Sequence, residues 1–120
     1  MLKILNGETP SFTAATQNYD FVHIDDIAEG FACLGDKGNP FTEYVIGSGN
    51  AKPLREFLTE LQQTVSPKCE FKYGTIPFTG ESLSLDAFDI SPLQRDTGYS
   101  PQISFKEGIR RTFDWLKETI

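Results

Sequence analysis

One histidine and two aspartates, His23, Asp25 and Asp26, fall within four positions of the stretch QNYDFVHIDDIAEGF at 17–31. In a strand His23 and Asp25 would share a face, the arrangement an acid/base dyad or half of a metal site needs. Asp26 has a competing use. An aspartate at a helix start accepts an orphan backbone N–H, and Glu29 three places on completes a capping box. The chain holds no second histidine, so a metal site here would have His23 as its single imidazole ligand, fewer than such sites favour. The pattern reads as a short strand running into a capped helix, with structural aspartates, no metal and no catalytic group.

A second chemistry-like group is Gly47-Ser48-Gly49, between a strand pattern and a helix pattern. A dinucleotide fingerprint needs GxGxxG, and the third glycine position is Lys52. A turn that needs two permissive residues accounts for the pair. The nucleophile elbow GxSxG is absent. Cys33 and Cys69 lie far apart, in no CxxC or zinc-finger spacing. They read as free, buried thiols, with a single structural disulfide as the alternative.

The elements that must position these groups follow from period and punctuation. Leu2, Ile4 and Leu5 form the tail of a helix that ends at Gly7, with Pro10 beyond it; that helix is expected to begin upstream of Met1. Tyr19 to Ile24 reads as a strand. Asp26 caps a helix whose inner face is Ile27, Phe31 and Leu34. Glu43 to Ile46 is the next strand. Pro53 opens a helix with Leu54, Phe57, Leu58, Leu61 and Val65 on one face. Cys69 to Tyr73 alternates as a strand, and Leu83 to Phe88 reads as another. Ile90 to Thr97 is a short helix stopped by Gly98. Ser104 caps the last helix, with Phe105, Ile109, Thr112, Phe113 and Leu116 inward and Trp115 at the edge of the core. The expected class is mixed α/β, with short strands alternating with helices.

Composition narrows the function classes. The 120 residues fit one domain or a piece of one. The formal net charge is −6, and Lys106, Arg110 and Arg111 are interleaved with Glu107 and Asp114. Nucleic acid and anionic membranes are therefore not expected partners, although a small phosphorylated ligand needs only a few local donors. MLKIL is too short for a signal-peptide core, and no apolar run approaches the ~20 residues of a membrane span. A cytoplasmic protein is expected. Ten phenylalanines and 38% apolar residues point to a packed interior.

Four collinear segments carry a family likeness. DFVHIDDIA at 20–28 is similar to a family stretch RDFVHVDDVA, and YVIGSG at 44–49 to YNIGSG. LREF at 54–57 fits the helix that follows. DISPL at 89–93, TGYSP at 97–101, FKEGI at 105–109, Thr112 and Trp115 fit its closing D-x-S-K…LGW-x-P…EGL…T…W. From about Leu2 to Leu116 the chain resembles the C-terminal part of the extended short-chain dehydrogenase/reductases, the NAD-dependent nucleotide-sugar epimerases and dehydratases. The resemblance implies the small substrate-side part of an extended Rossmann-type enzyme, and residues 1–120 as one substrate-domain fragment without the dinucleotide-binding domain. It also implies a nucleotide-sugar ligand, with NAD(P) bound by the missing half.

The departures are as informative. GxxGxxG is absent. So is the catalytic Tyr-x-x-x-Lys, since His23, Ser48, Pro77 and Ile103 stand four places after the four tyrosines. No cofactor is expected on this chain, and no turnover by it alone. The arginine that precedes the aspartate of RDF is here Tyr19. The arginine that one branch places after G-x-x-P-[FY] is Thr79, after Gly74 to Phe78. Both bidentate phosphate contacts are lost, which leaves Arg95, Lys68 and Lys72 as basic candidates. The substrate-binding residues expected from the resemblance are Tyr19, Asp20, His23 and Arg95. The expected partners are a nucleotide sugar and the missing Rossmann half, or self-association through apolar surface left open. An autonomous sugar- or protein-binding module descended from that domain is the alternative, and a purely structural protein the third reading.

Overall fold

Three helix ends are set by single residues. A computed structural model describes residues Met1 to Ile120, and in it Gly98 takes a left-handed φ of 76° to stop helix α4 (Ser91–Thr97), a conformation glycine adopts without steric cost. Helix α5 (Phe105–Thr119) starts where the Ser104 side chain accepts the Glu107 N–H. Helix α1 (Leu2–Leu5) ends before Gly7, whose φ is +73°.

Helix α2 (Ile24–Lys37) corrects the expected cap. Its N-cap is His23, whose Nδ1 accepts the Asp25 N–H at 3.1 Å, and Asp26 lies inside the first turn. The buried stripe is rotated too. Asp26 and Gly30 are buried, while Phe31, expected inward, is 64% exposed. A Cβ on Gly30 would stand 2.8 Å from Ile46 Cγ2 and 3.4 Å from Tyr99 Cε2. The missing side chain lets α2 lie directly on Ile46 and Tyr99.

The strands are shorter than the sequence pattern suggests. The one sheet pairs β1 (Asn18–Tyr19) antiparallel with β2 (Lys52–Pro53), with Asn18 opposite Pro53. Residues Phe21–Ile24 and Glu43–Ile46 join no sheet, and Cys69–Tyr73 reduces to a parallel bridge between Ser11 and Lys72. Leu83–Phe88 holds a 3₁₀ turn at Leu85–Phe88 in place of a strand. Helix α3 (Leu54–Val65) has no side-chain cap. Its first N–H groups go to main-chain carbonyls, Leu54 to Gln17 and Arg55 to Ala15, both at 2.8 Å, which satisfies orphan donors as a cap would. Ala15 is fully buried at φ 57° to present that carbonyl, a costly region for a residue with a Cβ.

Helix α3 packs on α5 and α2 on α4, giving a mixed α/β arrangement. The core is small. Only 13 of 120 residues are buried, centred on Ile90, Leu93 and Tyr99, with a second group at Phe57, Leu58 and Ile109. Trp115 is 59% and Phe41 fully exposed, so the aromatic content does not translate into interior. A compact chain of this length has a radius of gyration near ~13.6 Å. Here it is 16.4 Å, in a slab of 48 × 34 × 18 Å. No helix is long and apolar enough to cross a membrane.

Tyr99 gives a direct test of this core. Its hydroxyl donates to the Gly47 carbonyl at 3.0 Å. Burial, then the charges of Asp26 and Asp20, push its pKa up. A tyrosine whose folded pKa lies above its unfolded value of about 10 contributes stability below that pH. The contribution is lost as pH rises through the folded value. Tyr99→Phe is expected to cost about 1–3 kcal/mol by leaving a buried acceptor unpaired. It is also expected to shrink the loss of stability above about pH 10. Urea midpoints measured across the alkaline range check both.

Candidate functional site

The stretch that draws attention in the sequence holds two carboxylates that reach across the fold. Asp20, just after β1, accepts the Ser48 N–H at 2.8 Å and the Ser48 hydroxyl through a very short hydrogen bond. Gly47 between them has no room for a side chain, because a Cβ would collide with Asp20 Oδ2. Tyr99 holds the Gly47 carbonyl from the other side. Asp26, 4% exposed, accepts the Gln102 N–H at Oδ1 and the Ile103 N–H at Oδ2, each at 2.9 Å. One short segment therefore ties down both the 47–49 loop and the 102–103 turn that leads into α5.

This arrangement decides what the glycine pair can do. The Ser48 amide already serves the Asp20 carboxylate. The first amides of α3 are taken by Ala15 and Gln17. The loop does not fit the pyrophosphate of a dinucleotide, which needs free amides at a helix start. No step through such a cofactor is derived for these residues.

Of the four residues expected to meet a ligand, only His23 lines one of the larger clefts. That cleft, about 420 Å³ between α3 and α5, is walled by Phe21, Phe57, Leu61, Phe105 and Ile109. Its aromatic wall is tight: Phe57 meets Phe21 and Phe105 edge-on, both at 4.9 Å between ring centres. The His23 ring lies against Gly108 with Nδ1 committed to the Asp25 amide. The Asp25 carboxylate is 3.7 Å away. Asp20 is used by Ser48. Tyr19 is 44% exposed and stacks on Phe21 at 5.9 Å. Arg95 is exposed and pairs with Asp96 at 3.4 Å. The four do not line one common pocket.

Residues that the sequence pattern does not single out form the remaining polar cluster. Asp96 accepts the Tyr44 hydroxyl at 2.7 Å and the Asn39 amide at 3.1 Å, tying the end of α2 to α4. Tyr44 stands in the YVIGSG segment, so the segment signal was present and the contact was not. A mixed cleft of about 330 Å³ borders the aromatic wall and adds Ser48, Asn50, Glu60 and Gln102. Polar groups and aromatic faces converge there. Cys33 and Cys69 are free thiols, partly exposed and not buried as expected.

No family model matches the chain. A UDP-glucuronate 4-epimerase of Thermodesulfobacterium geofontis is 31% identical over 113 residues, 91% of this chain and 33% of that protein. A putative GDP-L-fucose synthase 2 of Arabidopsis thaliana is 29% identical over 101 residues, 84% of this chain and 30% of that one. The chain is a relative of the NAD-dependent nucleotide-sugar epimerases and dehydratases and matches their C-terminal part. It spans about a third of the length of these relatives. The fold agrees: a UDP-glucose 4-epimerase of Thermotoga maritima, solved with UDP-glucose, superposes with a TM-score of 0.81 at 22% identity. That superposition covers 98% of this epimerase-related chain and 37% of the enzyme.

Two measurements separate clamp from cap and probe the Asp96 cluster. Asp26→Ala is expected to cost about 3 kcal/mol, because two buried hydrogen bonds to a charged acceptor are lost. Asp25→Ala, at an exposed carboxylate, is expected to stay within about 0.5 kcal/mol of the parent. Chemical denaturation of the pair decides between the roles. The Tyr44 hydroxyl, followed by the Arg95 charge, holds the Asp96 carboxyl below its ordinary value. Its contribution is therefore present above the unfolded pKa of about 3.9 and lost as pH falls through the lower folded value. Tyr44→Phe is expected to move the acid-unfolding midpoint to higher pH, as read by circular dichroism.

Proposed function

We propose that this chain is the nucleotide-sugar-binding portion of an NAD-dependent epimerase or dehydratase, and that it is not catalytic alone. The observation that carries the reading is the homologous third: 31% identity to a UDP-glucuronate 4-epimerase over 91% of this chain, in a sequence with neither GxxGxxG nor Tyr-x-x-x-Lys. Hydride transfer needs a bound nicotinamide and a group that moves the hydroxyl proton. The committed Ser48 amide and the occupied start of α3 support placing the dinucleotide elsewhere, on a separate dinucleotide-binding part.

The mixed cleft of Ser48, Asn50, Glu60 and Gln102 beside Phe21, Phe57 and Phe105 is the proposed ligand wall. Phenyl faces cover the apolar face of a ring, and amide and hydroxyl groups orient its polar edge. Tyr19, next to Phe21, flanks this wall, and Asp20 acts in it by fixing Ser48. The open slab shape and exposed Ile24, Phe31, Val45 and Trp115 support a chain that works with a further part covering its apolar surface.

Isothermal titration with NAD and with UDP-glucuronate tests the reading. No heat from NAD, no oxidation or epimerisation of any UDP-sugar by the chain alone, and weak binding of the UDP-sugar are expected. NAD binding by the isolated 120 residues would overturn it.

A further inference from the structure

Basic side chains converge on one polar cleft in a chain that is acidic as a whole. The cleft, about 680 Å³ along α3 and the start of α5, takes Lys52, Arg55 and Lys106 and, against them, Glu56 and Glu60. None of its lining residues is hydrophobic. Three cations meet two carboxylates here, while the whole chain carries −6. One of the carboxylates is already answered: Glu60 pairs with Lys52 at 3.5 Å. Arg55 and Lys106 are in no ion pair. The Arg55 guanidinium lies over the Tyr73 ring, 4.0 Å from its centre. Stacking of that kind fixes the fork by its face and leaves the N–H donors at its edge free. An oriented guanidinium beside a second unpaired cation is the arrangement that recognises a phosphate group.

We propose that this cleft binds the diphosphate of the nucleotide sugar whose ring lies on the aromatic wall. The inference rests on the proposed function and names the groups that answer the ligand's charge. The two clefts adjoin: Glu60 lines both, and Lys106 follows Phe105 of the wall. Lys52 leans over Phe57, another wall residue, with Nζ 4.7 Å from the ring centre. Lys52 also stands directly opposite Tyr19 across the β1–β2 pair, and opposed residues present their side chains on the same face. A cation thus returns from the neighbouring strand where Tyr19 supplies none. The mixed cleft holds Glu60 as its charged residue and no cation, so a diphosphate finds its counter-charge in the adjoining cleft. The basic candidates read from the sequence serve less well. Arg95 is paired with Asp96, and Lys68 and Lys72 are exposed and line neither cleft.

Isothermal titration of the chain with UDP-glucuronate, UDP, uridine and inorganic pyrophosphate tests the cleft. Arg55→Gln and Lys106→Gln are each expected to weaken UDP-glucuronate and UDP by about tenfold, the scale of one charge-assisted hydrogen bond, and to leave uridine unchanged. Arg55→Lys keeps the charge without the fork and is expected to recover part of the loss. Glu56→Gln removes the carboxylate left unpaired and is expected to tighten both diphosphates, a gain that a merely structural role would not produce. Lys117→Gln, at a cation of α5 outside the cleft, controls for net charge and is expected to change nothing. Thermal melts check folding, and the exposed Lys106 and Glu56 carry the test if Arg55→Gln melts early. UDP-glucuronate that binds every variant as it binds the parent overturns the cleft and leaves the proposed function standing. A parent chain that binds no UDP-glucuronate overturns both. Pyrophosphate bound as tightly as UDP, with the same losses in the variants, assigns the cleft to free polyphosphate and overturns its link to the nucleotide sugar.

Discussion

The fold depends on a carboxylate and a phenol gripping one glycine-bearing loop from opposite sides. Asp20 takes the Ser48 amide and Tyr99 takes the Gly47 carbonyl, and between them they connect the segment after β1, the 44–49 loop and the turn after α4. With only 13 residues buried, seven of them hydrophobic core residues, hydrophobic burial contributes less per residue than in a full domain. Directed bonds between distant segments then carry more of the specificity. Buried hydrogen bonds to a charged acceptor suit that role, because leaving any partner unpaired is costly. Asp26 repeats the device on Gln102 and Ile103.

These clamps also define the chemistry left to the site. An amide that serves Asp20 cannot serve a phosphate, so the glycine pair that resembles a nucleotide loop is a structural turn. What remains open to a ligand is an aromatic wall with amide and hydroxyl groups along one edge. In the proposed function that surface orients a polar ring.

Helix ends were legible because their signals are local. Ser104, Gly98 and Gly7 act within a turn of where they stand, and the structure uses each as its residue type suggests. Strands were less legible, because a strand exists only when a second segment pairs with it. Glu43–Ile46 keeps the alternation without the partner. Asp26 shows the opposite failure: the capping-box spacing is a sound local signal, but the His23 imidazole accepts the amide first and frees Asp26 for a long-range contact. The phenylalanines misled by number, since a thin slab has little interior in which to bury them. The family likeness of the four segments was legible in the sequence, whereas the positions of Tyr19, Asp20, His23 and Arg95 relative to one another depend on contacts far apart in the chain.

The bare backbone of Gly30 against Ile46 makes the separation between α2 and the 44–46 segment a quantity shared by two residues. Any methyl gained at position 30 must be matched by loss of the Cγ2 methyl at position 46, as from isoleucine to alanine, or the helix tilts outward and drags the Asp26 carboxylate off its two amides. One helix-to-segment contact thus sets the spacing between α2 and residues 44–46, and variants of this chain would be expected to trade volume between positions 30 and 46 as a pair.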